Sequence, residues 1–273
     1  MIVEAAKQAI AEAGISKEEI DVIIVGTLTP DHSFPSTGNC VQKKLDMEPV
    51  PSFDLSAACS GFLYGLILAD SLISAGKVKT AMVAGAEVMS RFLNWDDRNT
   101  CVLFGDGAGV AILKGVDNGK EGILSSYWSA DGRLGDLLMQ PAGGSVMPAS
   151  EKTVADKLHT VHMKGNEVFK HAVNRMEEAS LRALELAGLG IEDIDLYIPH
   201  QANYRIIETT IKRAKIPREK TYINVERTAN MSGASIAVAL DWARREGRIK
   251  PGYNVLMSSF GAGFTWSGMV MKF

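Results

Sequence analysis

The sequence predicts a duplicated α/β fold, in which two similar halves are each a mixed sheet covered by helices. Residues 13–24 align without a gap with residues 187–198, at an offset of 174 positions. A repeat of this length indicates a duplicated fold unit, because solenoid repeats are much shorter. Strand-like and helical segments alternate, and 273 residues, of which 46% are hydrophobic and 22% charged, suffice for a full core. We place the halves at residues 1–118 and 119–273.

The predicted elements of the first half are bounded by helix-stop and turn signals. Gly14 ends the first helix, because glycine favours the left-handed conformation that follows a helix. Pro30 and Pro35 mark the loop after the first strand, and Gly76 ends the third helix. The helices are predicted at 2–13, 36–46 and 59–76, and the strands at 21–28, 51–55, 80–86 and 107–114.

The second half repeats this order after a lead-in of its own. Residues 131–164 show little periodicity and are predicted to form a loop or lid. Residue 1 aligns with residue 175, so by symmetry about fifty residues with a first strand are missing from the first half, unless the halves diverged at their starts. The helices are predicted at 165–186, 203–214 and 232–246, and the strands at 122–129, 194–199, 221–224, 253–259 and 264–273.

Composition and charge argue against several classes of protein. The net charge of −3 argues against a nucleic-acid binder, and no apolar run reaches the roughly 18 residues of a membrane span. The N-terminal segment has the pattern of an amphipathic helix and not of a signal peptide. Cys40, Cys59 and Cys101 form no CxxC pair, and the histidines show no metal-ligand spacing, so we expect a cytoplasmic protein without a metal.

Cys59 is the candidate nucleophile. It lies between a predicted strand and an apolar helix, in a run of small residues that leaves room for a substrate. The free N–H groups and the positive dipole end of a helix N-terminus stabilise a thiolate, so we expect the pKa of Cys59 to lie below about 8.5. A buried structural cysteine is the alternative, since free cysteines are often buried.

His200 and Asn230 lie at two further strand-to-helix turns. His200 follows the predicted strand 194–199, and the carboxyl ends of strands are where α/β sites are built. Asn230 precedes a predicted helix, and asparagine is also a common helix cap. A cysteine, a histidine and an asparagine at three such turns together indicate a nucleophilic site.

Six motifs follow one another along the chain: Ala57–Gly61, Phe104–Gly109, Gly165–Lys170, His200–Asn203, Asn230–Ser235 and Phe260–Trp266. Together they resemble the β-ketoacyl-acyl carrier protein synthase III family. The resemblance covers residues 1–273 and implies a thiolase-like duplicated fold, a homodimer and no cofactor.

The resemblance implies a decarboxylating condensation that initiates fatty acid synthesis. Cys59 would attack an acyl-CoA, with the oxyanion held by the backbone N–H groups of Cys59 and Ala262. Malonyl-acyl carrier protein would then bind and lose CO₂. Neutral His200, through Nε2–H, and the Asn230 amide would donate hydrogen bonds to the enolate, and the carbanion would attack the acyl group on Cys59.

The resemblance also implies binding residues. Phe34 would reach across the dimer to close the acyl pocket of the partner, Arg98 would contact the CoA nucleotide, and Asn203 would hydrogen-bond the pantetheine arm. Residues 205–220 have six basic side chains and two acidic ones, which suits an acidic acyl carrier protein, although a solvated charged face is the alternative. Phe169 completes the substrate-binding set, and the carrier-binding set is Lys170, Arg205, Lys212 and Arg213.

The sequence also leaves alternative functions open. The chain is alternatively a related Cys-His-Asn acyltransferase or polyketide-type condensing enzyme, or a catalytically silent acyl-binding module.

In the family, the segment that is missing here carries a strand inside the first sheet and the residues that clamp the CoA adenine. Each unpaired backbone group costs about 1–3 kcal/mol if buried, so we expect a chain that is unstable or aggregates and binds CoA weakly.

Overall fold

Two mixed sheets covered by helices make up the computed structural model, which describes residues 1–116 and 121–273. The predicted boundary between the halves, at residues 118 and 119, lies outside the described residues. The first half contains α1 (Ile2–Ala13), β1 (Val22–Gly26), α2 (Thr37–Lys44), β2 (Ser52–Leu55), α3 (Gly61–Ser74), β3 (Thr80–Val88) and β4 (Asp106–Lys114).

The second half repeats the order of the long elements after a first strand of its own, and it also contains small additional elements. The segment predicted as a loop or lid contains a short helix and a two-stranded ladder. The elements are β5 (Gly122–Ala130), β6 (Leu138–Met139), α4 (Glu151–Ala155), β7 (His162–Met163), α5 (Gly165–Ala187), β8 (Leu196–Pro199), α6 (Tyr204–Ala214), α7 (Val225–Thr228), α8 (Ser235–Arg245), β9 (Asn254–Gly261) and β10 (Thr265–Lys272).

The two sheets have related strand orders. The first sheet runs β2-β1-β3-β4, with β4 antiparallel to its neighbour, and the second runs β5-β10-β9-β8, with β8 and β9 parallel. Side chains alternate across the first sheet, because successive residues of a strand point to opposite faces. Val22 and Ile24 of β1 therefore join one buried cluster and Ile23 and Val25 another.

The helices form three layers around these sheets. The largest buried cluster contains side chains from both sheets and from α3 and α8, so these two helices lie between the sheets. Helices α1 and α2 cover the outer face of the first sheet, and α5 and α6 cover the outer face of the second. No helix in the described part of the chain is long and apolar enough to cross a membrane.

The duplication predicted from the sequence is confirmed by the backbone. Gly14 and Gly188 end α1 and α5 with nearly the same left-handed angle, φ 64° and 67°. The same offset relates Ala58 and Ser232, which adopt φ 49° and 45° in the 3-10 turns that precede α3 and α8. Positive φ is rare for residues other than glycine, so its appearance at both positions reflects a shared turn.

Three expectations about individual elements are wrong. The predicted strand at 221–224 is a single bridge between Thr221 and Tyr197, because the segment then turns away into α7. The helix predicted to begin at Cys59 starts as a 3-10 turn, and α3 begins at Gly61. The strand missing from the first half was expected inside its sheet, but its counterpart in the second half, β5, lies at the edge. The equivalent place in the first half is the free side of β4.

Candidate active site

Cys59 lies where two cavities meet. The first cavity, about 480 Å³, is mainly apolar, and the second, about 650 Å³, contains the polar side chains of His200, Asn230 and Asn203; Cys59 lines both. The first is lined by, among others, Met89, Phe92, Phe104, Leu138 and Val161. The thiol therefore borders a mainly apolar cavity on one side and a cavity with polar side chains on the other.

The Cys59 thiol is buried and protonated at neutral pH. Burial raises its pKa to about 12. The effect of burial outweighs the hydrogen bonds to Ser232 and to the backbone, which favour the thiolate. The expected lowering of this pKa is therefore wrong. The thiol donates to the Ser232 hydroxyl, with 3.6 Å between Sγ and Oγ.

His200 is held neutral at the end of β8. Its side chain is 98% buried, and burial lowers its pKa to about 3, because an imidazolium would lose its hydration. The backbone N–H of His200 donates to Ser258 O on β9 at 2.7 Å, which fixes the start of the turn. A neutral imidazole carries one N–H, and this group can donate into the second cavity.

Asn230 is oriented by its own turn and by the first half. Its Oδ1 accepts a hydrogen bond from the Ser232 backbone N–H at 2.8 Å, which leaves the amide NH₂ as a donor. Its backbone bonds Leu103 O at 2.9 Å and Gly105 N at 3.0 Å, both in the loop before β4. The amide therefore belongs to a turn that is clamped between the halves.

The end of β9 comes very close to the cysteine turn. A Cβ atom on Gly261 would lie 2.6 Å from the Cys59 backbone nitrogen, so only glycine permits this approach. The next residue, Ala262, lines the first cavity together with Cys59. Cys59 and Ala262, the two residues predicted to supply oxyanion donors, therefore both line this cavity.

Comparisons with known proteins show which family the chain belongs to. Models of 3-oxoacyl-[acyl-carrier-protein] synthase III match residues 53–132 and, for its C-terminal part, residues 184–273. The β-ketoacyl-[acyl-carrier-protein] synthase III of Caldanaerobacter subterraneus subsp. tengcongensis is 51% identical over 269 residues, which are 98% of this chain and 81% of that protein. The chain belongs to the β-ketoacyl-[acyl-carrier-protein] synthase III family.

Solved structures agree with this assignment. The 3-oxoacyl-[acyl-carrier-protein] synthase III from Aquifex aeolicus VF5 is 44% identical, with a TM-score of 0.91 over 100% of this chain and 83% of that one. The priming β-ketosynthase from the R1128 polyketide biosynthetic pathway is 33% identical, with a TM-score of 0.90 over 100% and 80%. Both neighbours have the two-sheet thiolase-like fold described above, as the family resemblance implied.

The residues predicted to bind substrate divide into two groups. Phe169 and Asn203 line the second cavity, where Asn203 also caps α6 by accepting from Ile206 N at 2.9 Å. Arg98 lines neither cavity near Cys59, although both of its chain neighbours line the second one. Phe34 also lines neither and is 86% exposed. In this single chain, Phe169 and Asn203 therefore line a cavity with the Cys59 thiol, and Arg98 and Phe34 do not.

The predicted basic patch is partly neutralised. Arg213 pairs with Glu177 at 2.7 Å, and Lys170 pairs with Glu167 at 3.2 Å. Arg205 lines the second cavity, and its guanidinium lies 5.5 Å from the centre of the Phe169 ring. Lys212 is exposed in the last turn of α6 and forms no ion pair with the described residues. Of the four residues predicted to bind the carrier protein, Arg205 and Lys212 are therefore the two without an ion pair to the described residues.

Gln201 is a buried residue that sequence reasoning missed, although it directly follows His200. It is fully buried and uses its whole side-chain amide, so it ties the turn after β8 to the segment that leads to Asn230. It donates to Pro199 O (2.8 Å) and Tyr222 O (3.3 Å) and accepts from Asn224 N (2.9 Å) and Val225 N (3.1 Å).

Glu87 was missed as well. It is the one charged residue in β3, and it is 99% buried at the carboxyl end of that strand. Burial raises its pKa to about 7, against the opposing effect of its hydrogen bonds. The carboxylate accepts from Thr29 Oγ1 (2.7 Å), Leu28 N (3.1 Å) and Gly233 N (3.3 Å).

Proposed function

We propose that this chain condenses an acyl-CoA primer with malonyl-acyl carrier protein, with loss of CO₂, and so initiates fatty acid synthesis. The observation that carries the proposal is the position of Cys59, which lines an apolar cavity and also a polar cavity that contains His200 and Asn230. The two cavities suit an acyl group held on the thiol and a second reactant that approaches it.

In the first half-reaction, Cys59 attacks the thioester and becomes acylated. The backbone N–H groups of Cys59 and Ala262 stabilise the oxyanion, and the CoA thiolate leaves. The acyl group then lies in the first cavity, whose lining of Met89, Phe92 and Phe104 removes an apolar chain from water.

In the second half-reaction, malonyl-acyl carrier protein loses CO₂ in the second cavity. The resulting enolate gains hydrogen bonds from the neutral imidazole of His200 and from the amide of Asn230, whose oxygen is already occupied by Ser232. The carbanion attacks the acyl carbon on Cys59, which returns as a thiolate when the 3-oxoacyl product departs.

The partners are proposed on the same grounds. Asn203, Phe169 and Arg98 bind the acyl-CoA, and Arg205 and Lys212, with Lys170 and Arg213 at the margin, bind an acidic carrier protein. Phe34 is exposed on the loop before α2 and closes the acyl pocket of a second copy in a homodimer. We place the reaction in the cytoplasm, because three unpaired cysteines suit a reducing compartment.

A second candidate is the priming condensation of a polyketide pathway. It is favoured by the similarity to the R1128 priming β-ketosynthase, which is 33% identical with a TM-score of 0.90. The two candidates share the acylation of Cys59 and differ in the carrier protein that delivers the malonyl group. Condensation assayed with malonyl groups on carrier proteins from fatty acid and polyketide synthesis distinguishes them.

The test of the proposal is intact-mass measurement of the purified chain after incubation with acetyl-CoA and with longer and branched acyl-CoAs. We expect a gain of one acyl group, absent in Cys59→Ser, and conversion to a 3-oxoacyl carrier protein when malonyl-acyl carrier protein is added. The absence of any adduct from every primer in the correctly folded protein contradicts the proposal.

A further inference from the structure

Glu87 is a buried carboxylate that takes no part in the proposed condensation. It lies at the carboxyl end of β3, and it lines neither of the cavities that meet at Cys59. Hydrogen bonds favour its ionised form, against the effect of burial. Because a buried charge is costly unless it is hydrogen-bonded, the donors around this carboxylate show what it holds in place.

Donors of the first half fix the carboxylate at the end of β1. Leu28 N lies 3.1 and 3.2 Å from the two oxygens of Glu87. The hydroxyls of Thr29 and Thr27 donate to Oε2 at 2.7 and 3.5 Å. Thr29 Oγ1 also accepts from Val88 N at 2.8 Å, so the same network joins the ends of β1 and β3. The carboxylate is therefore held in one position on the first sheet.

The other oxygen, Oε1, binds the backbone of the second half. It accepts from Gly233 N, in the turn before α8, at 3.3 Å. The same backbone packs closely on the first sheet, because a Cβ atom on Gly85 would lie 2.3 Å from Gly233 O. A Cβ atom on Gly233 would lie 3.3 Å from both Glu87 Oε1 and Gly26 O. The carboxylate thus bonds the turn of the second half from a fixed point on the first.

The bonded peptide directly follows the one that orients Asn230. Ser232 N donates to Asn230 Oδ1 at 2.8 Å, and the next backbone N–H, that of Gly233, donates to Glu87. Ser232 between them has φ 45°, a conformation that is costly for a residue with a side chain and persists only when its surroundings require it. The two hydrogen bonds lie on either side of Ser232 and hold its backbone in this conformation.

We propose that Glu87 is a positioning residue for decarboxylation: its carboxylate holds the turn of residues 230–233 so that the Asn230 amide donates to the enolate. The inference rests on the proposed function, in which Asn230 is such a donor. Glu87 acts through the backbone and touches no reactant. In this role the length of its side chain and the acceptor oxygen matter, and its charge does not.

Two substitutions separate the reach of this side chain from its charge. Glu87→Asp keeps the charge but withdraws the carboxylate by roughly 1.5 Å, the length of one C–C bond. Glu87→Gln keeps the length and can place its amide oxygen where Oε1 lies. The Thr29 hydroxyl can then rotate to accept from the new NH₂ group. We therefore expect the defect in Glu87→Asp and not in Glu87→Gln.

Hydrogen exchange of the backbone reports the position of the turn without any substrate. Measured by mass spectrometry on a peptide that covers residues 228–236, exchange should be about 10-fold faster in Glu87→Asp, because Gly233 N loses its acceptor. In Glu87→Gln exchange should stay within about threefold of the wild-type rate.

The release of CO₂ from malonyl-acyl carrier protein reports the Asn230 amide. In Glu87→Asp the kcat should fall about 10- to 100-fold, because the donor is displaced, with the KM unchanged within about threefold. In Glu87→Gln both should stay within about threefold of the wild type. Acylation of Cys59 by acetyl-CoA does not use Asn230 and should stay within about threefold in both variants.

Asp54→Ala is the matched control. Asp54 also accepts from two backbone N–H groups, Thr37 N at 2.7 Å and Gly38 N at 2.8 Å, but both belong to the first half. Asp54→Ala should lower the melting temperature and leave both the exchange of residues 228–236 and decarboxylation as in the wild type. A merely structural role for Glu87 predicts that acylation and decarboxylation fall together, and a role of its charge predicts that Glu87→Gln is the defective variant. Either result overturns the inference.

The exchange measurement separates this inference from the proposed function. If the wild-type chain neither acylates Cys59 nor releases CO₂, the proposed function fails. Faster exchange confined to Glu87→Asp would then still support the hold of Glu87 on the turn, and unchanged exchange would overturn it. In an active chain, faster exchange in Glu87→Asp with wild-type decarboxylation would refute the positioning of Asn230.

Discussion

The two halves of the molecule have different side chains at equivalent positions of the duplicated fold. The offset that relates Gly14 to Gly188 also relates Cys59 to Gly233 and Glu87 to Gly261. The first half therefore has a thiol in its 3-10 turn and a carboxylate at the end of β3. The second half has glycine at both places, in the turn before α8 and at the end of β9.

Each glycine makes room for a functional group of the opposite half. Gly261 lies against the Cys59 backbone, and Gly233 donates its N–H to Glu87 at 3.3 Å. At a third pair, His200 in the second half is equivalent to Gly26, which packs tightly on Gly61 of its own half. At all three pairs, a functional side chain in one half has glycine at the equivalent position of the other.

The largest effect expected from this comparison separates the two half-reactions. His200→Ala removes a proposed donor to the enolate, so decarboxylation of malonyl-acyl carrier protein should fall by about 10²–10³-fold. Acylation of Cys59 should stay within about threefold, because it depends on groups of the first half and on the backbone of β9. The measurements are CO₂ release and intact mass; an equal fall in both rates would show that the roles of the halves are not separable.

Much of this architecture was predictable because its signals are local. The helix stops at Gly14 and Gly188 and the alternating strands follow from residues within a few positions of each other. The predicted strand at 221–224 failed for the opposite reason. Its last N–H is taken by the side chain of Gln201, more than twenty residues earlier in the chain, and no local pattern reports such a contact.

In the candidate site, too, only features with a local sequence signal could be predicted. Cys59, His200 and Asn230 were identifiable because each residue type stands at a predicted strand-to-helix turn. The protonation state of Cys59 was not, because it depends on burial between the two halves, which outweighs the helix N-terminus that the sequence displays. Glu87 was overlooked because its hydrogen bond from Gly233 joins it to the other half of the chain, which no local pattern reports.

A smaller effect tests the tight approach of β9 to the cysteine turn. In Gly261→Ala the new Cβ would lie 2.6 Å from Cys59 N, so the backbone must shift and the proposed oxyanion donors move with it. A displacement of this kind costs about 100-fold in acylation rate, which intact-mass kinetics can follow. Gly132→Ala is the control, because its Cβ would meet no atom within 4 Å; equal losses in both variants would refute the argument.

The smallest effect concerns the helices that cover the outer faces of the two sheets. Lys212 lies in the last turn of α6, and Lys43 lies in the last turn of α2, which covers the first sheet in the equivalent layer. Both side chains are exposed, so charge reversal at either changes the net charge of the chain by the same amount. If the second half alone docks an acidic carrier protein, Lys212→Glu should raise the KM for malonyl-acyl carrier protein about 3- to 10-fold, and Lys43→Glu should not.

The salt dependence distinguishes docking from a general effect of charge. The increase in KM for Lys212→Glu should shrink as ionic strength rises, because exposed charges are screened beyond a Debye length of about 8 Å at physiological salt. Acylation by acetyl-CoA should be unchanged in both variants, since neither lysine lines the cavities at Cys59. Equal increases for the two variants would mean that the carrier protein responds to net charge, and the equivalent helices would then be equivalent in function as well as in position.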